Sequence, residues 1–213
     1  MLKNTKRSKN SQLSTLNSQL KVVPLHLDMD RFKKTNGQFE AAIAECRALF
    51  EKKLHDYRAS WRILRPASLT DQLFIKAKRI RSLEIKKDSL VGEGIRPEFI
   101  ALVNYGIVGL IQLAKGFADT VDMNNQEAMS LYDSYAQEAL ELMKRKNHDY
   151  DEAWRGMRVS SYTDLILTKI ERIKEIEDIE VRGESLKVSE GIDANYMDII
   201  NYAVFGLIKL GER

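Results

Sequence analysis

The sequence predicts an all-α protein, two tandem copies of a three-helix unit packed as a pseudo-dimeric helical bundle. Three observations predict it. The stretch HDYRASW at His55 to Trp61 returns as HDYDEAW at His148 to Trp154, and EGIRPEFIALVNYGIVGLIQL returns as EGIDANYMDIINYAVFGLIKL near the end of the chain. Apolar residues recur at spacings of three and four along both copies. Strand alternation is nearly absent.

The first match extends well beyond its motif. At an offset of 93 residues, Glu45, Lys53, Asp56, Tyr57, Trp61, Arg62, Thr70, Lys76, Arg79 and Glu84 return as Glu138, Lys146, Asp149, Tyr150, Trp154, Arg155, Thr163, Lys169, Arg172 and Glu177. A short insertion in the second copy then raises the offset to 97, which aligns Asn104 with Asn201. A duplication divides the chain into a flexible basic leader (1–35), a first helical repeat (36–113), a linker (114–129) and a second helical repeat (130–211).

The elements follow in order. In residues 1–34 eight lysines and arginines stand against two aspartates among many Ser, Asn and Gln residues, so the leader is expected to be an unstructured tail whose residues 1–28 can be removed without unfolding the body. Since the whole chain carries only +3, the body is mildly acidic, and no strong nucleic-acid signal remains. The first helix presents the stripe Phe39, Ile43, Cys46, Leu49 and Phe50. Cys46 is the sole cysteine, which argues for a packed thiol and a reducing, cytoplasmic setting. Ser68 to Asp71, echoed by Ser161 to Asp164, reads as a capping box opening the middle helix, which carries Leu73, Ala77, Ile80 and Leu83. Pro97 suits the first turn of the third helix, where an amide donor is dispensable. That helix is apolar almost all round in both copies and belongs at the centre of the bundle. Gly109 and Gly206, at equivalent places within it, are expected to admit the backbone of a neighbour. No apolar run reaches the roughly 18 residues of a membrane span, so a soluble protein without membrane attachment is expected. Its state, monomer or homo-oligomer, stays open.

Polar groups in a buried helix point to chemistry, because an unpartnered amide or carboxylate there costs several kcal/mol. Asn201 and Asp198 lie one turn apart on the third helix of the second copy, with Glu190 just ahead of it; Ala101 replaces Asp198 in the first copy. Glu190 and Asp198, joined by Asp149, are the candidate carboxylates for a magnesium ion, and the first two the candidate catalytic residues. A buried hydrogen-bond network is the alternative for the asparagines. Lys76 with Arg79, and Lys169 with Arg172, could clamp a phosphate or pair with acids such as Asp56 or Glu84. Tyr150 and Trp154 could stack on a base, as could Tyr57 and Trp61, or lie in the core. His55 and His148 each stand beside an aspartate, without the second histidine a zinc site needs.

The patterns HDYxxxW, SxTDxxxxKxxRI, EGI and NY together resemble a bacterial family, common in Bacteroidetes, built on a duplicated domain of unknown function and grouped with the nucleotide modification associated domains. The resemblance covers residues 36 to 211. More remotely, the third helix with Glu190, Asp198 and Asn201 is similar to the acidic helix of the all-α nucleoside triphosphate pyrophosphohydrolases, the group of MazG and the dimeric dUTPases. That group's glutamate pair on the preceding helix has no clean counterpart, since Glu171 and Glu175 are spaced by four and the first copy has Lys78 and Ser82. The resemblance implies a nucleotide ligand and a magnesium-dependent hydrolase acting on a nucleoside triphosphate or modified nucleotide. Lys169 and Arg172 would hold phosphates, and Trp154 or Tyr150 the base. The alternative is a nucleotide- or protein-binding helical module without catalysis.

Overall fold

A computed structural model describes residues 25–86, 92–183 and 191–212. These form six α-helices and no strand: α1 (Leu25–Tyr57), α2 (Pro66–Lys86), α3 (Arg96–Lys115), α4 (Asn125–Tyr150), α5 (Val159–Val181) and α6 (Ile192–Gly211). The first three helices are one copy and the last three the other. The expected leader is shortened at its far end, because α1 begins at Leu25 and Thr35 is fully buried, with its hydroxyl bonded to Glu152 and Arg155 of the second copy. The expected linker narrows likewise to the residues between Lys115 and Asn125. There Asn124 caps α4 by accepting the Glu127 amide at 2.9 Å.

The copies meet across a pseudo-two-fold axis, α3 against α6, α2 against α5 and α1 against α4. Helix α3 is long and apolar enough by composition to cross a membrane, but 72% of that apolar window is buried inside the bundle. Its apolar surface is the core. The two glycines on these central helices admit rings and not backbone, which corrects the expectation from sequence. A Cβ on Gly109 would stand 2.6 Å from the Tyr196 ring, and one on Gly206 would stand 2.7 Å from the ring of Phe99, the residue equivalent to Tyr196. Each aromatic ring thus sits in the notch that the other copy's glycine leaves.

Helices α2 and α5 also start earlier than the capping box implies, at Pro66 and Val159, so Ser68 and Ser161 lie inside the first turn. The repeated threonines of the motif bridge the copies instead. Thr70 donates to Glu177 at 2.7 Å, and Thr163 donates to Glu84 at 3.1 Å. Asp164 meets Arg81 across the same seam at 3.1 Å. Recurrence of Thr and Glu in both copies therefore follows from one reciprocal contact made twice.

Candidate functional site

The repeated Trp-Arg pair stands at the corner where the first helix of each copy ends. Helix α1 stops at Tyr57, Arg58 takes a left-handed conformation (φ 56°), and Ser60–Ile63 form a short 3-10 turn. Asp151 repeats that conformation (φ 52°) ahead of the turn Ala153–Gly156. Arg62, 3% exposed, pins the first corner through Asp122 at 2.8 Å and through Gln112 and the Gly116 carbonyl. Gln112 in turn donates to the carbonyls of Trp61, Arg62 and Leu64. In the second copy Arg155 holds Glu152, Thr35, Gln38 and Glu212, and Lys209 donates to the Arg155 carbonyl at 2.8 Å. These arginines are structural.

The same scaffold presents two different interiors. In the second copy Trp154 is buried and stacks on Phe205, with centroids 4.3 Å apart and planes 6° from parallel. Asp198, about two turns back along α6, accepts from Lys146 on α4 and pairs with Lys169 on α5 at 2.8 Å. The ring covers the tryptophan and the carboxylate holds both lysines; on their other side Lys146 and Asp198 border a cavity of about 560 Å³ that Glu138 and Asp193 also line. In the first copy Val108 replaces Phe205 and Ala101 replaces Asp198. A cavity of about 350 Å³ opens there, bordered by Lys53, Tyr57, Trp61, Ala101, Asn104 and Val108. Arg58 and Ser60 also line it, and no acidic residue does so among the described residues. The carboxylate of this copy sits one turn earlier, on Glu98, where it binds Arg79 and lies 3.3 Å from Lys76. Lys53, the equivalent of Lys146, consequently has no carboxylate partner among the described residues.

The candidate residues are thus distributed as follows. Lys76 and Arg79 pair with Glu98, neither with Asp56 nor with Glu84; Arg172 pairs with Glu175 at 3.2 Å on its own helix. Lys169 and Asp198 are brought together, as salt-bridge partners. Tyr150 is 70% exposed and Trp154 is engaged with Phe205. Asp149 lies at the surface and bonds His148 at 3.1 Å, and the first copy repeats this between Asp56 and His55 at 3.0 Å. Glu190 lies outside the described residues. Among the described residues no metal-binding group is assembled: both oxygens of Asp198 face lysine ammonium groups, and no group of three or more His, Cys, Asp or Glu side chains suited to a metal occurs there.

The asparagines diverge as well. Asn104 donates to the Cys46 carbonyl at 3.1 Å and accepts the Tyr132 hydroxyl at 2.8 Å, so it forms the buried network that was one of its two readings. Asn201 is buried too, and neither its oxygen nor its nitrogen has a partner among the described residues. Phe39 occupies the position equivalent to Tyr132, which accounts for the missing hydroxyl. Cys46 is fully buried, and desolvation, reinforced by the neighbouring Glu45 charge, pushes its thiol up to about 12. Burial likewise pushes the Tyr196 phenol up to about 12.

Sequence reasoning placed the site in the second copy because Asp198 has no counterpart in the first. Val108 opposite Phe205 is a signal that this reasoning did not use: a smaller apolar residue beside a retained tryptophan leaves room. No curated protein and no solved structure matches the chain. One family model does, twice, over residues 53–113 and 146–210, the segments that carry the two corners and their central helices. The chain therefore belongs to the nucleotide modification associated domain 1 family.

Proposed function

We propose that the protein is a nucleotide-binding helical module whose ligand enters the first copy. The observation that carries this reading is the cavity bordered by Tyr57 and Trp61, two rings suited to stacking on a base, with Lys53 and Arg58 and no acid in its lining among the described residues. Cations without paired acids favour a phosphate, and a cavity of this size lies at the lower end of the range for small-molecule sites. The family's association with nucleotide modification supports the same ligand class.

The magnesium-dependent hydrolase expected from the remote resemblance finds less support. Its proposed metal ligand Asp198 is neutralised by two lysines, and Lys76, Arg79 and Lys169 are already satisfied by acids. Thermal shift with a panel of nucleotides, run with and without magnesium beside a pyrophosphate-release assay, tests the choice. Metal-independent stabilisation of about 5 to 10 °C at a hundredfold excess over Kd, without release, is the expected result. Magnesium-dependent turnover that Asp198→Asn abolishes would overturn it in favour of the hydrolase.

A further inference from the structure

The second copy shows what its own fold requires at the corner: an aromatic ring flat against the tryptophan, and an anion beside the lysine on the first helix of the unit. Phe205 supplies the ring, parallel to Trp154 at 4.3 Å, and Asp198 supplies the anion to Lys146. The first copy keeps the tryptophan and the lysine, as Trp61 and Lys53, but lacks both complements, since Val108 and Ala101 stand in their places. All four residues line the one cavity. Among the described residues the one ring beside Trp61 is Phe50, tilted at 6.4 Å and itself stacked on Tyr132 at 4.6 Å, while the Arg62 guanidinium stands 6.0 Å from the Trp61 centroid. Asn104, the amide at the cavity wall, is tied to Cys46 and Tyr132 by one hydrogen bond each and so holds the wall in place.

Resting on the nucleotide-binding reading above, we infer that a nucleoside monophosphate binds the first copy as the mimic of Phe205 and Asp198, one per chain. Its base lies flat on Trp61 in the room left by Val108, and its phosphate faces Lys53 past Ala101. The second copy does not bind it in this way, because Phe205 already covers Trp154 and Asp198 already pairs with Lys146, and the separate cavity that Lys146 and Asp198 border is lined by the acids Glu138 and Asp193. The duplication has thus produced one receptive unit and one unit closed by its own side chains.

Titration calorimetry of the full chain with the four ribonucleoside 5′-monophosphates, and with the corresponding nucleosides, tests this. The expected result is a stoichiometry of one for at least one monophosphate. Val108→Phe, which places in the first copy the residue that the second already accommodates, should abolish binding, a loss of about 100-fold or more. Lys53→Ala, at an exposed position, should weaken the monophosphate about 10-fold and leave the nucleoside unchanged. Binding that persists undiminished in both variants overturns the inferred site while leaving nucleotide binding intact. A stoichiometry of two overturns the closure of the second copy. Absence of binding by every nucleotide and nucleoside, with the protein folded, overturns the nucleotide-binding reading itself and this inference with it.

Discussion

Asn104 and Asn201 occupy the same place in the two copies, and their partners make them energetically opposite. Removing Asn104 strands the Tyr132 hydroxyl inside the core, whereas Asn201 holds two unsatisfied polar atoms there already. Because a lost buried hydrogen bond costs about 1 to 3 kcal/mol while removing an unpaired polar group gains stability, Asn104→Leu should destabilise by about that amount and Asn201→Leu should be neutral or stabilising. Denaturant unfolding of the two variants measures this, and equal losses would refute the difference in networks. Cys46 offers a second test at this scale. A thiol held at about 12 carries almost no thiolate at pH 8, and the residue is fully buried. Ellman's reagent should leave the native protein unlabelled over hours and label it promptly once it is denatured; rapid labelling of the native state would show that α1 opens there.

At the scale of helices, the glycines of α3 and α6 govern how closely the copies approach. Replacing either by alanine improves intrinsic helix propensity by about 1 kcal/mol. It also drives a methyl group into a ring at under 3 Å, with Tyr196 opposing Gly109 and Phe99 opposing Gly206. Overpacking of a core costs about 1 to 3 kcal/mol, so Gly109→Ala and Gly206→Ala should each lower stability on balance. A rise in melting temperature for either would mean that the rings are free to move aside. Helix type and central position were legible from apolar spacing, as was the need for small residues at 109 and 206. That the approaching group is a ring and not a backbone was not legible, because the pairing of Gly109 with Tyr196 depends on how the copies are docked. The misread capping box has the same origin. Ser-x-Thr-Asp satisfies a local rule, yet Thr70 and Thr163 answer to Glu177 and Glu84 in the opposite copy.

For the whole molecule, the duplication made the architecture readable before any coordinates, since two copies of an amphipathic three-helix unit must bury their apolar central helices against each other. The site was readable only in part. Repetition identifies Trp61 and Trp154, or Lys53 and Lys146, as equivalents without saying which of each pair is free. That is decided by the differences, Val108 against Phe205 and Ala101 against Asp198, which move a ring and a charge in three dimensions. Asp198 therefore looked like a functional acid in the sequence, and in the fold it is a counter-ion between two lysines. Asp198→Asn should lower stability by leaving Lys146 and Lys169 without their carboxylate, a loss on the order of 1 to 3 kcal/mol given that Lys146 is partly solvent-exposed. It should leave nucleotide affinity of the first copy unchanged; a change in affinity with unchanged stability would return Asp198 to the site.

The account turns on which tryptophan meets the ligand, and the chain has only Trp61 and Trp154. Fluorescence of two single-tryptophan variants, Trp154→Phe and Trp61→Phe, titrated with the nucleoside monophosphates, separates them directly. The account predicts saturable quenching of Trp61 by at least one monophosphate and a flat response from Trp154, whose ring already faces Phe205. Quenching confined to Trp154 would contradict it.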